Sequence, residues 1–164
     1  MKKFGAIFLL LTFNSCWFGA GTLGSFKGYL FIVSEKRMNQ EIEDLYINHP
    51  NYKIPKKWEY FDNWNERGFE FLKGKIFYFS NSPEEMYYVS YFELNDDNSI
   101  KDGFKTTDIS VRAVHNGTWR WKKEEDYEKD KIEKLRIEKR FHDEIIVKLE
   151  KQMNTKAIED KSWF

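Results

Sequence analysis

The sequence holds one cysteine, Cys16, so no disulfide can form within the chain. Stability must come from burial, even in an oxidising compartment that would permit a bridge. Histidine is scarce too. His49 precedes a proline, His115 stands at a turn and His142 lies in a charged run, with no spacing that resembles a zinc set. His142 is four residues from Glu138, which reads as a helical ion pair. No G-x-S-x-G, Ser-His-Asp or Cys-His arrangement can be assembled. No catalytic residue, metal ligand or cofactor is therefore assigned, and the chain reads as a non-enzyme. Surplus charge is also missing: Lys and Arg number 27, and Asp and Glu number 27. Without a basic field there is nothing to hold nucleic acid.

What is abundant is aromatic: 15 Phe, 9 Tyr and 6 Trp, with 33% of residues charged. Large rings give a small domain much buried area per residue, so the composition predicts a dense aromatic core under a charged surface. The length of 164 residues suits one domain.

The chain starts with Lys2 and Lys3, an apolar run from Phe4 to Thr12, then Phe13, Asn14, Ser15 and Cys16. This is the layout of a secretory signal. Ending on the lone cysteine, it resembles the signal of a bacterial lipoprotein, in which that cysteine is lipidated and becomes the mature N-terminus. Phe13 takes the place of the usual Leu and Asn14 is larger than usual, while Ser15 fits. The match is similar to the relaxed lipoboxes of Bacteroidetes lipoproteins. Two alternatives stay open: cleavage to a soluble secreted protein, or retention as a membrane helix. The second meets the difficulty that Phe4 to Thr12 falls short of the roughly 20 apolar residues a bilayer needs. Extending it to Val33 takes in Asn14, Ser15, four glycines and Lys27. Loss of residues 1–15 removes Lys2 and Lys3 and leaves a slight acidic excess.

Residues 16–27 read as a lipidated cysteine and a flexible, glycine-containing tether. Gly19-Ala20-Gly21-Thr22-Leu23-Gly24 matches G-x-G-x-x-G, with Glu43 and Asp44 about 20 positions on. The segment before it is the leader and no βαβ alternation follows, so it is read as a tether and not a dinucleotide site.

Residues 28–154 are read as one α+β domain. Gly28 to Val33 is a buried strand or the approach to a helix, which periodicity does not decide. Ser34 is a suitable N-cap for a helix on which Met38, Ile42, Leu45 and Tyr46 recur, ending before His49-Pro50. Asn51 to Glu66 is an aromatic loop with one helical turn near Trp58. Strands are expected at Phe69–Leu72, Lys75–Phe79, Met86–Leu94 and Thr107–His115. In the last, Ile109, Val111 and Ala113 alternate with Ser110, Arg112 and Val114. Asn116-Gly117 predicts a type I′ hairpin returning through Thr118–Lys122, with Trp119 and Trp121 on one face. A long helix from about Glu124 carries Ile132, Leu135, Phe141, Ile145, Leu149 and Met153 as one apolar stripe. Residues 155–164 read as a frayed tail. The expected fold is an antiparallel sheet of four to five strands, a meander, with an N-terminal helix and a long C-terminal helix packed on one face.

Asn95 to Ser99 lacks the central Gly and distal Glu of a calcium loop and reads as a solvated turn. Ser82 with Glu85 reads as a capping box on one helical turn. The remaining candidate is aromatic: Tyr87, Tyr91, Trp119 and Trp121 form a candidate binding face, or else lie beneath the C-terminal helix as core. The chain is thus expected to be an envelope lipoprotein anchored to a membrane, on the periplasmic side of the outer membrane, because Trp17, Phe18 and Gly19 follow Cys16 where surface-exported relatives carry acids. Its expected role is a non-enzymatic binding or accessory module for an envelope protein or a glycan. A periplasmic inhibitor of the immunity type and an enzyme with an unrecognised site are the alternatives.

Overall fold

The computed structural model describes residues 24–62, 73–94 and 105–160. Cys16, the G-x-G-x-x-G match before Gly24, the expected strand Phe69–Leu72 and the Asn95–Ser99 loop lie outside the described residues. The fold is α+β: an antiparallel sheet with helices on one face, as the residue pattern predicts.

Strand β1 spans Gly28–Phe31 and helix α1 spans Glu35–Asn48. The run left open between strand and helix is therefore a strand. Ser34 caps α1, its side chain accepting from the Arg37 amide, and His49 before Pro50 ends it. Met38, Ile42, Leu45 and Tyr46 are all buried, as their spacing predicts. Two 3₁₀ turns follow, Pro50–Tyr52 and Lys56–Phe61, the second around Trp58. Strands β2 (Gly74–Phe79), β3 (Glu85–Glu93) and β4 (Thr107–His115) form a meander. The sheet order is β2-β3-β4-β1-β6, where β6 is Ile158–Glu159, with β5 (Lys122–Lys123) also on β4. Strand β4 thus carries β3 on one edge. On the other it carries β1 along residues 107–110 and β5 at Ala113 and Val114.

A register shift between Tyr88 and Val89 interrupts the β3–β4 ladder: Tyr88 faces Ala113 while Val89 faces Val111. The bulge changes the phase of β4. Ile109, Val111 and Val114 join the core beneath the helices, and Ala113 turns to the opposite face. A strict period of two does not survive an extra residue.

The C-terminal helix is segmented. Helix α2 spans Lys131–Phe141, a π turn spans His142–Ile146 and α3 spans Val147–Met153. Ile137, Phe141, Ile145, Ile146 and Leu149 are buried, while Ile132 and Leu135 are exposed, so the expected stripe starts too early. Residues 137, 141, 145 and 149 recur every fourth position. Such spacing drifts roughly 40° per step on a 3.6-residue helix. The wider π turn takes up part of that drift and keeps the series facing the sheet. His142 pairs with Asp143 (3.0 Å) and its ring lies 5.7 Å from Tyr29; the expected pairing with Glu138 is not seen.

Both ends of the described chain are held. Phe26 is buried and its amide donates to Val111 O, so Gly24 to Lys27 belong to the fold and not to a tether. Residues 155–160 are not frayed: Ile158–Glu159 form β6 against β1, and the Asp160 amide donates to Gly28 O. The Ser82–Glu85 capping box is absent, because Glu85 opens β3.

Gly74 faces the Tyr88 ring, where an added Cβ would lie 2.5 Å from ring atoms. Gly74→Ala is expected to lower the melting temperature by several degrees through this overlap, read in a thermal melt against wild type.

Candidate functional site

The four aromatic residues singled out in the sequence do not share a face. Tyr87 and Tyr91 are buried in the core between sheet and helices, where the Tyr91 hydroxyl donates to Asn39 Oδ1 (2.6 Å). Trp121 is buried on the other face of the sheet, its Nε1 donating to Phe61 O. Trp119 stands 84% exposed. The reason is local. Gly117 takes φ +81°, and no other residue of the Asn116-Gly117 turn has positive φ. A type I′ turn needs positive φ at both positions. The chain therefore makes a wider loop, and β5 pairs only through Lys122 and Lys123. Strand alternation is lost before Trp119.

A second, smaller core fills the sheet face away from the helices. Trp58, Ile76, Met86, Tyr88, Ala113 and Trp121 pack there, with Ile54, Phe61 and Tyr78 at its margin. His115, the last residue of β4, is buried among rings: Phe61 at 4.0 Å, Trp58 at 5.0 Å and Trp121 at 5.5 Å. Its Nδ1 accepts from the Gly117 amide. At the solvent side of this cluster Tyr60 (81%) and Trp119 (84%) stand out. They are the only aromatic members of the exposed large apolar side chains among the described residues. Arg120 lies over the Trp119 ring and forks onto Asp126 with contacts of 2.9 and 2.6 Å. That fork raises the Arg120 pKa and holds the Asp126 carboxyl below its usual range.

A roomy concavity lies elsewhere, along α2. A groove of about 720 Å³ runs between Lys27, the 3₁₀ turn Glu124–Tyr127, α2 and β6. Tyr127 and Leu135 supply its apolar surface, and Ile132, one helical turn before Leu135's successor, stands exposed on the same helix. Charges of both signs line it. Lys27 Nζ meets Glu159 at 2.6 Å, its amide donates to Glu138, and Lys134 pairs with Glu124. A smaller recess continues it toward Gly24 and Ser25, and there the Ser25 Oγ is buried without a hydrogen-bond partner.

Two buried ionic groups complete the map. Glu85, fully buried, receives Arg136 on Oε1 and Arg140 on Oε2, the latter at 2.8 Å, while the Tyr87 hydroxyl donates to Oε2 at 3.0 Å. Arg140 also donates to the carbonyls of Pro83 and Asn81 and lies 4.9 Å over the Phe79 ring. Glu133 and Glu85 together hold the Arg136 guanidinium protonated. This is a bolt between α2 and the β2–β3 turn. The second group lies on the far face of β4. Asp108 Oδ1 accepts from Ser110 (3.0 Å), Arg112 stands 3.9 Å away, and Oδ2 has no hydrogen-bond partner. Burial pushes the Asp108 carboxyl up to about 6, assisted by Asp160 and opposed by Arg112 and Ser110. Gly28 makes the room, since a Cβ there would fall 2.8 Å from Oδ2. Alternation in the sequence placed Ser110 and Arg112 on one side of β4 but gave no sign that this side is covered.

Among the described residues no group of three or more His, Cys, Asp or Glu could hold a metal ion, and no helix is long and apolar enough to cross a membrane. Neither family models, curated proteins nor solved structures yield a match to this chain.

Glu85→Ala removes the carboxylate that joins Arg136 and Arg140 to β3, leaves the Tyr87 hydroxyl without its acceptor and is expected to cost about 1–3 kcal/mol, read by denaturant unfolding. For Asp108, the folded chain keeps a proton between the ordinary value of 3.8 and about 6 that the unfolded chain has already lost. Stability therefore falls as pH rises through that window and stays at the lower level above it. Asp108→Asn is expected to stabilise the fold at pH 8 by up to about 3 kcal/mol, with the gain shrinking as pH falls from 6 to 4. Melting curves across this range check it.

Proposed function

We propose that this chain is an envelope lipoprotein, held by an acylated Cys16 on the periplasmic side of the outer membrane. It works as a non-enzymatic module that binds an envelope protein through the groove along α2. The observation that carries the reading is the groove itself. It combines an apolar strip at Tyr127 and Leu135 with carboxylates and lysines on both walls. Alternating charge around an apolar floor complements a polypeptide better than an uncharged glycan. Leu135 is 64% exposed and Ile132 is 84% exposed on a helix that otherwise buries its apolar residues. Exposed apolar side chains beside a concavity mark interaction surfaces.

The non-enzymatic part rests on how the acids are used. In the groove Glu124 pairs with Lys134, Glu159 pairs with Lys27, and Glu138 accepts from the Lys27 amide. Asp108, whose pKa is raised, is not among the residues that line the groove. The leader and lipobox support the location, and the groove supports the role.

Two measurements test the two halves. Mass spectrometry of the mature N-terminus is expected to find an acylated Cys16; an intact chain starting at Met1 with a bare thiol overturns the anchor. For the groove, wild type and Leu135→Glu are compared in pull-downs from solubilised envelope, after melting curves show equal stability. Retention of the same protein is expected to fall about tenfold in the variant, the size of effect for an apolar contact replaced by a charge. Equal retention by both removes the groove from the account.

A further inference from the structure

The residues exposed at one end of the fold carry a second inference, which rests on the anchored reading above. Gly24 lies beside Glu124, just beyond β5, with an added Cβ 3.9 Å from Glu124 Oε2. The chain therefore comes into the fold at the end of the sheet where β4 finishes. The loop carrying Trp119 leaves that same end of β4. The Lys56–Phe61 turn sits there as well: Phe61 packs on His115, Tyr60 packs on Phe61 at 5.5 Å, and Trp58 faces Gly117. Gly24, on the α2 side of the sheet, and the Lys56–Phe61 turn, on the other face, thus both lie toward the end of β4 from which the Trp119 loop leaves.

The number of residues between Cys16 and Gly24 sets how far this end can be from the membrane. From Cys16 to Gly24 even a fully extended chain reaches at most roughly 29 Å. A domain of this size is roughly 35–40 Å across. An acylated Cys16 therefore keeps the β4 end within less than one domain diameter of the bilayer. At this end stand the two exposed aromatic rings, Tyr60 and Trp119. Tyr and Trp have an apolar body and a polar tip, and they favour the lipid headgroup level. Lys57 and Arg120, each beside an aromatic residue, have long stems that reach toward headgroups. Both already meet acids, Lys57 with Glu84 and Arg120 with Asp126. The patch has little free positive charge, so the contact depends on the rings and not on anionic lipid.

We propose that the end bearing Tyr60 and Trp119 rests on the surface of the bilayer that holds Cys16. Trp119 then sits at the headgroup level.

The experiment uses the full-length acylated protein in phosphatidylethanolamine/phosphatidylglycerol vesicles whose acyl chains are brominated near the carbonyl. Trp17 is replaced by Phe throughout, because it adjoins the anchor. Brominated lipid is expected to quench tryptophan fluorescence, and the quenched fraction is expected to fall about twofold in Trp119→Phe, as for loss of an interfacial ring. The quenching should stay the same when phosphatidylglycerol is omitted and when salt is raised. Equal quenching in both proteins overturns the proposal. So does shielding of Trp119 only on adding an envelope glycan or a partner protein, which assigns the rings to that ligand. Flotation with the vesicles separates the two failures. A protein that floats but shows no Trp119 quenching keeps its anchor and loses this contact, whereas a protein that neither carries lipid nor floats loses the anchored reading.

Discussion

The carboxylate of Glu85 is the contact on which the arrangement depends. It lies at the first residue of β3, inside the protein, and is gripped by Arg136 and Arg140 from α2. Such a group is costly to bury alone and becomes tolerable only when its partners are fixed. Arg140 adds bonds to the carbonyls of Pro83 and Asn81, so the β2–β3 turn and α2 are locked to one another. Where α2 lies determines where the groove opens, because α2 forms one wall of it. A second fastening holds the other end of the helical layer: Gln152 on the last helix donates to both the backbone and the side chain of Glu41 on α1. Between these two points the apolar series from Ile137 to Leu149 seats itself on the sheet.

The two faces of the sheet serve different ends. The helix-covered face holds most of the aliphatic and aromatic core. The other face is divided lengthwise. One part is a ring cluster around His115, Trp58 and Trp121, and the other is a polar strip of Ser90, Asp108, Ser110 and Arg112. Arg112 Nε donates to Ser90 Oγ at 2.6 Å, which fixes the strip across the two central strands. Tyr60 projects from the ring cluster through Phe61, and Trp119 lies under Arg120, which is forked onto Asp126.

Elements governed by local chemistry were legible in the sequence. Ser34, the Met38-Ile42-Leu45-Tyr46 series and His49-Pro50 fixed α1 to within a residue at either end. The antiparallel α+β class and the strands at Lys75–Phe79, Met86–Leu94 and Thr107–His115 followed from β-rich runs between turns. What escaped depended on contacts distant in the chain. The bulge at Tyr88 and Val89 arises between strands, so Ala113 and Val114 exchanged faces relative to strict alternation. Glu85 has a helix-capping pattern locally, but its partners lie more than fifty residues away. Ile132 and Leu135 fit a helical stripe, yet α2 reaches the core only from Ile137. Of the candidate site, Trp119 was visible as a residue but not as an exposed one, and Tyr60 carried no signal beyond belonging to an aromatic loop. The groove was invisible, since Lys27, Tyr127, Leu135 and Asp160 come from four separate segments.

The short pairing of Ile158–Glu159 with Tyr29 and Leu30 bears on self-association. Bare strand margins are templates on which a second molecule can add its own strand. With β6 laid along it, β1 is no longer the margin on this side, and the margin that replaces it is a strand of two residues, Ile158–Glu159, too short to template a long addition.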